Sequence, residues 1–123
     1  MVEVVLPWPK RILFPNAIKR KDWYWGAKSD AARQARGDAK ILTLKALDGK
    51  SFNEKPPYKM TVVLFPPDSR KRDMDAVLSA CKYTVDGMCL ALGIDDYDIS
   101  YIQLIREASV PSGEVSIMIE GIE

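Results

Sequence analysis

The chain has 123 residues, of which 47% are apolar and 28% charged, and its formal net charge is +1. This composition is typical of one soluble domain, and no apolar run approaches the roughly 18 residues of a membrane-spanning helix. Histidine is absent. Its absence excludes Ser-His-Asp catalysis, Cys-His catalysis and histidine metal sites, so any acid–base or metal chemistry must rest on Asp, Glu, Lys or Tyr.

The first ten residues, MVEVVLPWPK, lack the early cations and the long apolar run of a signal peptide, so we expect a cytoplasmic protein. The two cysteines, Cys81 and Cys89, lie eight positions apart inside a helical pattern. This spacing disfavours a disulfide between them and matches no zinc motif. We therefore expect both to be small apolar core residues.

Charge is distributed unevenly along the chain. Residues 1–72 contain 16 Lys or Arg and 7 Asp or Glu, a balance of +9, whereas residues 73–123 contain 2 and 10, a balance of −8. The boundary falls inside the stretch RKRDMD. A basic half indicates a polyanionic partner, and clustered acids beside it indicate a divalent metal. The alternative is that the two halves neutralise each other in the fold.

Residue patterns predict six elements along the chain. These are a strand in 2–9, a helix over 28–47, a strand over 60–66, a helix over 73–92, and strands over 100–107 and 114–121. Ser29 is a candidate N-cap of the first helix, and Gly93 ends the second. We expect the last two strands to form a hairpin around ASVPSG. The predicted fold is a single α+β domain spanning 1–123, with a mixed sheet of about four strands and two main helices.

The helix predicted over 73–92 has two distinct faces. Its apolar face comprises Met74, Val77, Leu78, Cys81, Val85, Met88 and Leu92. Asp75, Ser79, Lys82 and Asp86 share another face, because they are spaced by three or four residues. Lys82 could hold a phosphate or offset the charge of a leaving group. The alternative is a surface lysine paired with Asp86.

Four aspartates flank this helix. Asp73 and Asp75 lie at its start, where acids also favour capping and the helix dipole. Asp95 and Asp96 follow its end, about 27 Å away along the axis, so the two pairs meet only if the chain turns back. Three or more carboxylates without histidine suit Mg²⁺, which takes oxygen ligands.

The segment RKRDMDAVLSACKYTVDGMCLALGIDD, residues 70–96, resembles the core of the RusA family of Holliday junction resolvases, many of them carried by phages and prophages. The shared features are a basic run, an Asp-x-Asp pair, an apolar helix with a lysine, an Asp-Gly pair and a later Asp-Asp. LPWP at 6–9 and the Pro-Asn-plus-basic segment from Phe14 to Trp23 are also similar to the family. The resemblance covers nearly the whole chain.

This resemblance implies a homodimeric, Mg²⁺- or Mn²⁺-dependent endonuclease of DNA recombination and repair. Such an enzyme resolves four-way DNA junctions by paired symmetric phosphodiester hydrolysis, without a membrane or a small-molecule cofactor. The resemblance also implies a role for each of several residues. Catalysis falls to Asp73, Asp75, Asp96 and Lys82; metal binding to Asp73, Asp75, Asp95 and Asp96; and DNA binding to Asn16, Lys19, Arg20, Arg70, Lys71 and Arg72.

Two departures from the family pattern concern single positions. Ala76 stands where many relatives have Asn, and Lys82 lies further along the helix than in some relatives. Neither removes a metal ligand, so we expect an active enzyme. Two alternatives stay open: a non-catalytic junction or single-strand binding module, whose bases would stack on Trp23, Tyr24 and Trp25, and a phosphohydrolase of small phosphate esters. The basic half disfavours the second.

Overall fold

A computed structural model of the chain describes residues 1–15 and 26–122. The elements are β1 (Val2–Pro7), α1 (Ala27–Leu47), β2 (Tyr58–Phe65), α2 (Met74–Ala80), α3 (Lys82–Leu92), β3 (Ile99–Arg106) and β4 (Glu114–Gly121), with short 3₁₀ turns at Arg11–Leu13 and Asp96–Asp98. This is a small α+β domain with a four-stranded mixed sheet, as predicted. Across the two described ranges, no helix is both long and apolar enough to span a membrane.

The strands lie in the order β1-β4-β2-β3. β4 is antiparallel to both β1 and β2, whereas β3 is parallel to β2. The predicted hairpin of the last two strands is therefore wrong, because β2 lies between them. The connecting segment crosses the end of β2, where the Glu107 N–H donates to the Leu64 carbonyl (2.8 Å) and the Val110 N–H to that of Pro66 (2.9 Å). The connection then turns at Val110–Gly113, where the Gly113 N–H donates to the Val110 carbonyl (3.0 Å).

One face of the sheet forms the core. β1 alternates buried and exposed side chains along its whole length, as a half-buried strand does. Its inward residues join those of the two central strands beneath the helices. The residues with no exposed surface include Val62, Ile117 and Ile119. The buried apolar face of the sheet thus fixes the register of all three strands.

The helices depart from the sequence predictions at two points. α1 begins at Ala27, with Gly26 rather than Ser29 as its N-cap, and the Asp30 N–H donates to the Gly26 carbonyl (3.0 Å). The helix predicted over 73–92 is interrupted at Cys81, whose N–H is shared between the carbonyls of Val77 (3.2 Å) and Leu78 (3.0 Å). This tightened turn divides it into α2 and α3, so the described residues form three α-helices instead of two.

The apolar face predicted for this helix is correct. Its seven residues are buried or half-buried, and Gly93 ends α3 in the left-handed conformation, with φ 71°. Cys81 and Cys89 are free and buried, as expected. Burial raises the pKa of both thiols to about 12, and the carboxylate of Asp96 adds to the effect at Cys89. Both cysteines are therefore neutral core residues.

α1 and α3 approach most closely at Gly87. A Cβ built there would lie 2.1 Å from the Arg36 carbonyl oxygen and 3.0 Å from the Ala39 Cβ. The first distance is far shorter than any van der Waals contact, and the atom it meets belongs to the backbone. A glycine at position 87 therefore sets how closely the two helices pack.

We expect Gly87→Ala to destabilise the fold by about 1–3 kcal/mol, because α1 must move away from α3. Gly37→Ala is the matched control, since Gly37 lies on α1 with nothing within 4 Å of an added Cβ. That substitution should stabilise by up to about 1 kcal/mol through helix propensity. Urea unfolding of both variants measures the difference. Equal effects would contradict the close helix packing.

Candidate nucleic-acid interface and metal centre

A cavity of about 880 Å³ opens beside the end of β2. We call it the basic cavity. It is lined by Trp8, Pro9, Arg11, Phe14, Pro67, Arg70, Lys71, Arg72, Asp73, Ala76 and Arg106. Five cations and one carboxylate thus surround a wall of aromatic and proline side chains. This chemistry suits a polyanion with apolar parts.

The walls of the basic cavity come from segments far apart in the sequence. Trp8 follows β1, Pro67 follows β2, and Gly113 precedes β4. A Cβ at Gly113 would lie 3.0 Å from both the Trp8 Cβ and the Pro67 Cδ, and the φ of Gly113 is +71°. Glycine suits this position in both respects, because it tolerates the left-handed backbone and allows the close approach.

Arg72 is held in place by several contacts. Its Nη2 lies 2.9 Å from Asp68 Oδ1, and its Nη1 donates to the backbone carbonyls of Asp68 (3.3 Å) and Arg70 (3.2 Å). The guanidinium also lies 5.6 Å from the centre of the Trp8 ring. Only 18% of the Arg72 side chain is exposed. Arg72 therefore orders the loop and the indole, and its hydrogen-bonding capacity is largely used within the protein.

The Asp68 carboxylate orders the loop that carries Arg70 and Arg72. Its carboxylate accepts hydrogen bonds from the backbone N–H (3.0 Å) and the Nε (3.2 Å) of Arg70. Those bonds, together with the one from Arg72, lower the pKa of Asp68 to about 2. The carboxylate thus stays charged at any pH at which the protein would be assayed. The loop geometry follows from local ion pairing.

Arg70 and Lys71 present their charge to solvent. The Arg70 side chain is 80% exposed even though it pairs with Asp68, and Lys71 is exposed as well. An exposed pair of this kind is worth little and is readily exchanged for a phosphate partner. Of the predicted basic run, these two residues can reach a polyanion, and Arg72 mainly supports them.

Asp73 occupies the N-cap position of α2, but its side chain makes no capping hydrogen bond. It is exposed and lines the basic cavity, while Asp75 lies exposed in the first turn of α2. The capping alternative predicted that this carboxylate would bond to the helix N–H groups. It does not, so the Asp73 carboxylate lines the basic cavity without being used as a helix cap.

The other two predicted ligands lie elsewhere. The Asp95 side chain caps the 3₁₀ turn by accepting from the Tyr97 N–H at 2.9 Å. Asp95 and Asp96 line a second, more open cavity of about 560 Å³. We call it the acidic cavity. Its other lining residues are Arg36, Asp86, Cys89, Leu90 and Ile94.

Asp73 and Asp75 thus lie at the start of α2, whereas Asp95 and Asp96 lie beyond the end of α3 and line a different cavity from Asp73. Within residues 1–15 and 26–122, no three Asp, Glu, Cys or His side chains come close enough to hold a metal ion. Lys82, between the two ends, pairs with Asp86 at 3.5 Å and is 66% exposed. The ion pair expected for a surface lysine is thus present.

Several predicted DNA-binding residues cannot be placed. Asn16, Lys19 and Arg20 lie outside the described residues, as do Trp23, Tyr24 and Trp25. Their predicted roles stay predictions.

The structure adds residues that sequence reasoning missed. Arg11, Phe14, Pro67 and Arg106 line the basic cavity. Arg106 offered one usable signal, since it is one of only two cations after residue 72. Its position depends on β3 lying beside β2, which no local pattern indicated.

No ion pair among the described residues joins the basic half of the chain, residues 1–72, to the acidic half, residues 73–123. Met1–Glu54, Asp30–Arg33 and the Asp68 pairs lie within residues 1–72, and Lys82–Asp86 lies within the acidic half. Mutual neutralisation through direct contacts is therefore not what the described residues show. The two cavities each mix the halves, since Asp73 and Arg106 line the basic cavity and Arg36 lines the acidic one.

No protein-family profile matches the chain. A protein of Xylella fastidiosa (strain Temecula1 / ATCC 700964), described as uncharacterized, is 34% identical over 123 residues, which cover 99% of this chain and 78% of that protein. The chain belongs to the family of this Xylella protein.

We expect Arg72→Ala to destabilise the fold by about 1–3 kcal/mol, since it removes a half-buried cation and leaves carbonyl groups unpaired. Arg70→Ala is the control in the same loop, and its loss should stay below about 1 kcal/mol because the side chain is exposed. Thermal and urea unfolding report both effects. A larger loss for Arg70→Ala would contradict the supporting role of Arg72.

Proposed function

We propose that this chain is a metal-dependent endonuclease of the RusA type that cuts four-way DNA junctions. The observation that carries the proposal is Asp73. Its carboxylate occupies a helix N-cap without capping the helix, and it lines a cavity with five cations. A phosphodiester drawn in by those cations would lie beside an uncommitted anionic ligand. Helix capping or charge balance alone does not require that arrangement.

The basic cavity supports binding to a nucleic-acid backbone. Arg70 and Lys71 lie at its exposed side, and Arg11 and Arg106 add charge from two other segments. Cations distributed in this way contact several phosphates at once, each releasing counterions. A small phosphate ester would need fewer of them. The substrate class favoured is therefore DNA, as the resemblance to the RusA family implies.

The residues at the start of α2 fit a divalent cation. Mg²⁺ is commonly bound through one or two carboxylates together with substrate phosphates and water. Asp73 and Asp75 are both exposed at the start of α2, and Asp73 lines the basic cavity. A bound Mg²⁺ or Mn²⁺ would activate water and offset the charge developing on the phosphate. The protein's part is to hold that phosphate beside both carboxylates.

A homodimer would account for the separation of the acids. Asp73 and Asp75 lie at the start of α2, whereas Asp96 lies beyond the end of α3, so one chain does not assemble all three. In a two-fold pair whose α2–α3 segments run antiparallel, the start of α2 in one chain would face the end of α3 in the other. Each site would then combine Asp73 and Asp75 of one chain with Asp96 of its partner.

Exposed apolar residues on β3, on α3 and in the second 3₁₀ turn support such a pair. β3 is an edge strand, and Tyr101 and Ile102 on it are 51% and 49% exposed. Leu90 on α3 and Tyr97 in the 3₁₀ turn are 59% and 87% exposed. Edge strands and exposed large apolar side chains are common features of subunit interfaces. Leu90 also lines the acidic cavity.

The first experiment compares a labelled four-way junction with a matched linear duplex, with and without Mg²⁺. Asp73→Asn and Asp75→Asn should each reduce junction cutting by roughly 100-fold or more, because a ligand to the metal loses its charge. Junction binding should persist or tighten, since an anion near phosphate is removed. Asp38→Asn, on the exposed surface of α1, is the control and should cut normally. Normal cutting by Asp73→Asn would refute the proposal.

A mixing experiment tests the shared site. Asp75→Asn and Asp96→Asn chains are each inactive alone under the proposal. A heterodimer of the two keeps one intact site if the carboxylates come from different chains, so nicking of one strand should return. If each site lies within one chain, every site carries a substitution and the mixture stays inactive. Gel analysis of nicked junctions separates these outcomes.

A second candidate is a DNA-binding module without catalysis. The absence of a three-ligand cluster among the described residues favours it. Under this alternative the chain binds the junction in Mg²⁺ and in Mn²⁺ without cutting it, and the Asp73→Asn variant behaves like the unmodified protein. The same binding and cutting assays therefore decide between the two candidates.

A further inference from the structure

The apolar wall of the basic cavity has no role in binding phosphates. We propose that Trp8 and its neighbours form a subsite for one unstacked nucleobase of the bound strand, beside Asp73. This inference rests on the proposed binding of DNA to the same cavity, and it adds the part of the substrate that the cavity selects. The cations alone would bind the phosphates of any nucleic acid, whereas the apolar wall suits a flat nucleobase.

Trp8 is fixed rather than merely exposed. It packs against the hydrophobic core, and its Cβ lies close to the Gly113 backbone. The Arg72 guanidinium lies 5.6 Å from the ring centre and is itself held by Asp68. An indole restrained in this way loses little freedom when a second planar group stacks on it. Stacking of bases on aromatic side chains is tolerant of sequence, because every base has a π-face.

The size and lining of the cavity also fit a base with its flanking phosphates. A volume of about 880 Å³ lies within the range of small-molecule sites and exceeds what one phosphate requires. Pro9, Phe14 and Pro67 extend the apolar surface beside Trp8, and Arg11 and Arg106 contribute positive charge. A nucleotide presents this combination, a flat base attached to anionic phosphates.

Stacked bases inside a duplex cannot reach such a wall. A base becomes available where the duplex is interrupted, because unstacking costs least for unpaired or mismatched positions. The branch point of a junction supplies bases of this kind. The subsite would thus help place the phosphodiester next to an unstacked base beside Asp73, and the cavity would read local DNA structure rather than sequence.

The test compares two short single-stranded probes at fixed salt by fluorescence anisotropy. One is a labelled thymidine tetranucleotide, and the other is the abasic tetranucleotide with the same number of phosphates. The unmodified protein should bind the thymidine probe about tenfold or more tightly, as one stacked base predicts. Trp8→Ala should remove this preference, and Trp8→Phe should retain part of it. The affinity for the abasic probe should change little in either variant.

Equal affinity of the unmodified protein for the two probes would overturn the inference, and this comparison needs no variant to fold. A preference that survives in Trp8→Ala would also overturn it, because the base would then stack elsewhere. Circular dichroism of both Trp8 variants serves as the control for correct folding. Failure here is distinguishable from failure of the proposed function, since metal-dependent junction cutting is measured separately and in the unmodified protein.

Discussion

The end of β2 is the point on which the rest of the molecule depends. Because β3 and β4 flank β2 on opposite sides, the chain between them must cross that end, and it does so through hydrogen bonds to the carbonyls of Leu64 and Pro66. The crossing brings Gly113 against Trp8 and Pro67. Three segments distant in sequence thereby enclose one cavity, and the loop carrying Arg70 to Asp73 leaves the sheet beside it. The strand order thus determines which residues line the cavity.

Local electrostatics then determine which charges stay available. Asp68 pairs with Arg70 and Arg72, and its lowered pKa reflects that commitment. Asp95 caps its 3₁₀ turn, so its carboxylate is partly committed too. Asp73 holds a capping position and makes no capping bond. Among aspartates of similar exposure, the contacts therefore separate structural carboxylates from an uncommitted one, which neither charge nor position in the sequence could do.

The sequence predicted what depends on neighbours along the chain. Periodicity identified the apolar face from Met74 to Leu92 correctly, because burial of a helix repeats every 3.6 residues. It failed where the answer depended on distant segments. The hairpin was wrong because β2 intervenes between the last two strands, and Arg106 was missed because its neighbours come from other strands. Whether the chain turns back to bring Asp95 and Asp96 near Asp73 and Asp75 likewise depends on distant segments.

The separation of the acids has a consequence for a junction-cutting enzyme. Asp75 lies at the start of α2 and Asp96 beyond the end of α3, and no three carboxylates of the described residues come together to hold a metal. Under the proposed function, two chains must associate before either can cut, and the resulting pair has two equivalent sites related by a two-fold axis. A four-way junction can present two equivalent strands to such a pair. Dividing the carboxylates between chains would therefore link cutting to assembly, so that a lone chain bound to ordinary duplex holds DNA without hydrolysing it.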